Sequence, residues 1–99
     1  MDKTQIAKDI RGAIKCVQLD TLRDLLEKNP EMLEWMTPFG TWLHVASAHG
    51  HLEIVKLLVE NNIDISIKYS GDNMKDMDAY AFAIERGKTE ITEYLSKIR

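Results

Sequence analysis

The stretch GTWLHVASAHGHLEIVKLLVENNIDI, residues 40–65, reads as two short helices parted by a glycine. Leu43, Ala46 and Ser47 stand at helical spacing in a first helix from Trp42 to His49. Leu52, Val55, Leu58 and Val59 make one apolar stripe in a second helix from Leu52 to Asn61. Between them, Gly50 suits the left-handed backbone at a helix end, where a side chain would clash. Glu53 falls in the first turn of the second helix, where the helix dipole favours an anion. Helices this short are marginal alone, so each has to be held by packing against neighbours. The same stretch holds all three histidines, His44, His49 and His51, which raises a metal site or a general base beside the packing role.

Sliding the chain against itself decides between these. At an offset of 33, Ile10 meets Leu43, Ala13 meets Ala46, Leu19 meets Leu52, Leu22 meets Val55 and Asn29 meets Asn62. At an offset of 37, Ala46 meets Ala83, Gly50 meets Gly87, Ile54 meets Ile91 and Leu58 meets Leu95. The chain therefore carries three copies of one unit, and a repeat of this period marks a stacked architecture. The small residues Ala13, Ala46 and Ala83 at one repeated position let helices of adjacent units approach closely. Asn29 and Asn62 close their second helices, and asparagine tolerates left-handed geometry; Pro30 makes the first stop firmer.

In these residues the middle copy resembles the ankyrin repeat. Thr41, Leu43, His44, Ala46, Gly50, His51, Glu53, Ile54, Val55, Lys56, Leu57, Leu58, Asp64 and Ile65 match its usual pattern. The first copy looks like an N-terminal cap, with Val17 where glycine is expected, and the third like a degenerate C-terminal cap. The resemblance implies an all-α fold: an ankyrin-repeat solenoid of three helix-turn-helix units joined by hairpin-like loops. One domain, residues 1–99, is expected, with repeats near 4–35, 36–68 and 69–99. Thr41, Leu43, His44, Ala46, Gly50 and Gly87 then belong to the structural motif, with His44 bonded to backbone and to the threonine hydroxyl. Departures stand out too. Trp42 replaces the usual proline, and it and Phe39 are expected to cover the core between repeats. Four extra residues lengthen the connection KYSGDNMKDMDA, residues 68–79, so a longer second hairpin is expected.

Composition narrows the function. The 99 residues are 44% apolar and 29% charged, with a net charge of −3, the balance of a folded domain. That charge and the lack of a Lys/Arg run speak against nucleic acid or an anionic bilayer as partner. The charged start and the absence of an apolar run near the roughly 18 residues of a membrane span predict a cytoplasmic chain read from its initiating methionine. Cys16, the single cysteine, cannot form an internal disulfide and is expected to be a partly buried, inert thiol.

No reaction suggests itself. His44, His49 and His51 straddle a helix break, so their side chains should diverge rather than converge on a metal. Asp72, Asp76 and Asp78 lack the spacing of a calcium loop, since Met74 and Met77 occupy its third and sixth positions. No phosphate loop, nucleophile elbow or paired catalytic carboxylates are present, so neither an enzyme nor a cofactor is expected.

The resemblance implies instead a partner protein, bound through the hairpin tips and the exposed side of the first helices. Carried over by position, that surface holds Lys15, Cys16, Ala48, His49, Glu85 and Arg86, with Glu34, Trp35, Met36, Thr37 and Phe39 from the first hairpin and Lys68, Tyr69, Asp72 and Asn73 from the second. Two alternatives stay open: an immunity or inhibitor protein masking a toxin or enzyme, and a self-associating scaffold. The chain is expected to be a monomer, with a homodimer as the second state.

Overall fold

The computed structural model describes residues 2–71 and 74–98. Three helical pairs follow one another: α1 (Lys3–Lys15) with α2 (Leu19–Lys28), α3 (Trp42–His49) with α4 (Leu52–Glu60), and α5 (Ala79–Glu85) with α6 (Thr89–Ile98). A 3₁₀ turn, Pro30–Glu34, follows α2, and a hairpin of β1 (Tyr69–Gly71) and β2 (Met74–Met77) precedes α5. The first helices stack as α1, α3, α5 and the second as α2, α4, α6. Ala13, Ala46 and Ala83 lie buried where the first helices meet. The apolar stripes close one continuous core from Ile6 to Leu95, including Leu22, Leu26, Ile54, Leu58 and Ile91.

The two helices of every repeat are joined through the same hinge. The N–H groups of Gln18, His51 and Lys88 donate to the carbonyls of Ala13, Ala46 and Ala83 at 2.8, 3.3 and 2.9 Å. To turn the chain that sharply, the residue before each donor adopts a positive φ: Val17 at 53°, Gly50 at 78° and Gly87 at 68°. Glycine takes that conformation freely, whereas an L side chain costs roughly 1–2 kcal/mol there and a β-branched one is the worst placed. Val17 is exposed, so little packing offsets the strain. Val17→Gly is therefore expected to raise stability by about 1 kcal/mol, the strain outweighing the extra freedom that glycine gives the unfolded chain. A urea titration checks this, and a lower midpoint for the variant would contradict it.

The ends of the second helices differ from one another. Asn62 has φ 65°, and the next N–H, of Ile63, returns to the Leu58 carbonyl at 3.1 Å. Asn29, expected to do the same, has φ −135°. Pro30 clashes with a helical conformation at the residue before it, so Asn29 leaves the helical region, at ψ 64°. Its side-chain amide instead caps the Leu25 carbonyl at 3.0 Å.

Two further expectations are corrected. Cys16 is exposed at the C-terminus of α1 rather than partly buried. Phe39 does not cover the core; 52% of its surface is open. The reason lies in the first hairpin, where Thr37 and Gly40 pair across a two-residue turn. Thr37 faces inward, its hydroxyl donating to the Gly40 carbonyl at 2.7 Å and accepting from the Phe39 N–H at 3.0 Å, and that tight turn throws Phe39 outward. Trp42 is buried as expected, 1% exposed, with its indole N–H donating to the Met32 carbonyl at 2.9 Å.

Candidate functional site

The start of α3 is a rigid knot built on His44. Thr41 caps the helix, and the His44 N–H donates to its hydroxyl oxygen at 3.4 Å. On the ring, Nε2 lies 2.8 Å from the Met77 carbonyl, which can only accept, so Nε2 carries the proton. Nδ1 is then free to accept from the Thr41 N–H at 3.2 Å and from the Thr41 hydroxyl at 2.9 Å. Gly40, at φ 104°, leaves the room this ring needs: a Cβ there would stand 2.7 Å from His44 Cγ. Tyr69 and Phe82 enclose the ring at 6.2 and 5.8 Å between centroids. The Tyr69 hydroxyl donates to the Pro38 carbonyl, which joins the second hairpin to the tip of the first.

Burial holds the His44 imidazole below its ordinary value, with the Met77 carbonyl and the Asp78 carboxylate acting the other way. A folded-state value below the unfolded one means that the unfolded chain takes up the proton first as pH falls. This contribution is intact above the unfolded value of about 6.5 and is lost as pH drops through the folded one. Urea midpoints should accordingly stay level above about pH 6.5 and decline below it, more steeply than in His44→Asn. Equal slopes for the two proteins would remove His44 as the cause.

Beside this knot the three repeats enclose a cleft of about 200 Å³. It is lined by Arg11 of α1, Phe39 of the first hairpin, Val45, Ala48 and His49 of α3, and Phe82 and Arg86 of α5. Val45 and Phe82 are buried and make an apolar floor. The Arg11 guanidinium sits over the Phe39 ring at 5.6 Å and that of Arg86 over Phe82 at 4.9 Å. Partial burial lowers the His49 value, and the charges of His51, Lys15, Arg11 and Lys88 push the same way. The His49 and His51 rings stack at 6.0 Å rather than diverging, while His44 is held apart in its own network. Among the described residues no three His, Cys, Asp or Glu side chains cluster as a metal site would require.

The residues expected to make contacts are spread more widely than this cleft. His49 and Arg86 line it, and Lys15 acts on it through its charge. Glu85 is exposed but not in the lining. Met36 is 48% exposed, Trp35 packs half-buried against the core, and Thr37 is 9% exposed with its hydroxyl used internally. Tyr69 is half-buried in the hairpin contact, and Asp72 and Asn73 lie outside the described residues. Phe39 and Ala48, also on the expected surface, line the cleft, whereas Arg11, Val45, Phe82 and Lys88 lie outside that expectation. One signal for two of them was available: the 37-residue offset aligns Val45 with Phe82, one position class along the first helices.

A family profile for ankyrin repeats matches residues 11–98 in three copies. The chain belongs to the ankyrin-repeat family. Ankyrin repeats are protein-interaction modules rather than catalytic ones, and the cleft lies where three first helices and a hairpin tip of such a solenoid meet. Similar stretches occur in plant proteins. A probable E3 ubiquitin-protein ligase of Oryza sativa subsp. japonica, XBOS32, is 35% identical over 79 residues, covering 78% of this chain and 15% of that protein. The Arabidopsis thaliana E3 ubiquitin-protein ligase XBAT32 is 42% identical over 53 residues, covering 50% of this chain and 10% of its own length. The ankyrin repeats here thus match only a small part of each relative. No helix among the described residues is long and apolar enough to cross a membrane.

Proposed function

We propose that this chain binds a partner protein in the cleft between the first hairpin and the concave faces of α1, α3 and α5. The observation that carries this is the way three repeats converge on one apolar floor while leaving Phe39 exposed at its rim. Exposed aromatics beside an apolar hollow are the usual anchors of an interface. A photo-reactive amino acid at position 49 should cross-link to a partner in native lysate, and the same group at Thr21, exposed on α2, should not. Identical adducts from both positions, or none from position 49, would refute the reading.

Relatives named as E3 ubiquitin-protein ligases favour a second, narrower reading, in which the protein held in the cleft is one marked with ubiquitin. Ubiquitin on the cross-linked partner would support it. Masking of a basic enzyme site draws less support, because the cleft is itself lined by cations. A reducing, cytoplasmic setting suits the free and exposed Cys16.

A further inference from the structure

The charge of the cleft runs against that of the chain. The protein has 16 acidic and 13 basic side chains, yet Arg11, Lys15, Arg86 and Lys88 gather around His49 from the first and third repeats. The ion pairs of the described residues are Arg23 with Asp20 and Lys28 with Asp24, both on α2, and none involves these four cations. Arg11 and Arg86 are held in another way, each stacked on an aromatic ring. A guanidinium stacked on its face keeps its in-plane N–H groups free, and that fork fits a carboxylate in bidentate fashion.

We propose, resting on the interaction reading above, that the cleft recognises a short acidic segment of its partner protein. An apolar side chain of that segment sits on Val45, Ala48 and Phe82, and carboxylates on either side pair with Arg11 and Arg86. Size supports a peptide side chain as the occupant. The cleft, about 200 Å³, falls below the roughly 300–1,000 Å³ of sites that enclose small molecules. Charge distribution favours a short acidic segment over a nucleic acid. A long polyanion would run off the cationic patch onto a surface where acidic side chains are in excess, whereas a few carboxylates would not.

The test uses fluorescence anisotropy of the full chain with three labelled probes: a peptide alternating Glu with Leu, its Lys-for-Glu counterpart, and a single-stranded oligonucleotide of matched charge. The acidic peptide is expected to bind best and to weaken with added salt. Arg11→Glu combined with Arg86→Glu should weaken it by about tenfold or more, each tenfold being about 1.4 kcal/mol. Both arginines are exposed, so the thermal midpoint should hold, and Lys15→Glu with Lys88→Glu should lower affinity in the same direction. Equal binding of the Lys peptide, tighter binding of the oligonucleotide, or indifference to charge reversal would overturn the proposal. If the position-49 cross-link persists while the acidic peptide fails, the partner chemistry is wrong and the interaction reading stands; if both fail, the site itself is wrong.

Discussion

Trp42→Ala is expected to destabilise this protein by about 4 kcal/mol, the usual cost of emptying a large aromatic site in a core. The indole is 1% exposed, and its N–H satisfies the Met32 carbonyl at 2.9 Å. Met32 belongs to the turn that follows the first repeat, so the bond ties the second repeat back to the first. Truncation removes the packing together with one of two donors to that carbonyl, which keeps the Trp35 N–H at 3.1 Å. Against a total stability of about 5–15 kcal/mol for a small domain, that loss is a large fraction. Urea unfolding of the variant should show a sharply lower midpoint, and Trp42→Phe, which keeps most of the volume, should lose much less. A loss below about 1 kcal/mol for the alanine variant would mean that the site collapses and that the tie to Met32 contributes little.

His44→Ala should cost about 3 kcal/mol, because a buried donor or acceptor left without its partner costs about 1–3 kcal/mol and this ring serves more than one. Removing it leaves the Thr41 N–H and the Met77 carbonyl unpaired and opens space beside Tyr69 and Phe82. For a domain of this length each kcal/mol moves the thermal midpoint by about 4–8 °C, so a fall of roughly 12–24 °C is expected. The bond to Met77 ties the second repeat forward to the third. Amide exchange should therefore speed up in β1, β2 and α5 more than in α1 and α2. Uniform acceleration along the chain would show that the network supports the whole solenoid rather than one interface.

The two substitutions act on opposite sides of a single helical turn. Trp42 reaches backward and His44 forward, two residues apart, so the first turn of α3 holds both neighbours. In a solenoid, where each unit touches only the next, stability resides largely in such interface terms. The usual proline at position 42 would supply a helix start but neither the indole volume nor its N–H.

Much of this is legible in the sequence. The span of α3, Trp42–His49, and the left-handed Gly50 follow from the 3.6-residue pattern and from the steric cost of a side chain at positive φ. The burial of His44 beside the Thr41 hydroxyl follows from the family resemblance. Where one residue acts on its immediate neighbours, sequence is enough. Asn29 shows how a local rule can be displaced by another equally local one: the proline after it outweighs the preference of asparagine for left-handed backbone.

What sequence alone determined is the repeated unit, because helical period, hinge residues and small contact positions are properties of short stretches. The site is a different matter. Arg11, Phe39, His49, Phe82 and Arg86 lie on α1, the first hairpin, α3 and α5; the resemblance puts Phe39, His49 and Arg86 on the expected surface, but Arg11 and Phe82 alone read as an ordinary surface and an ordinary core residue. Only the stacking of the first helices brings them together, and only the turn at Thr37 and Gly40 decides that Phe39 faces the solvent. Electrostatic potential and concavity are sums over residues distant in the chain, so a protein of net charge −3 can present a cationic cleft that its composition conceals.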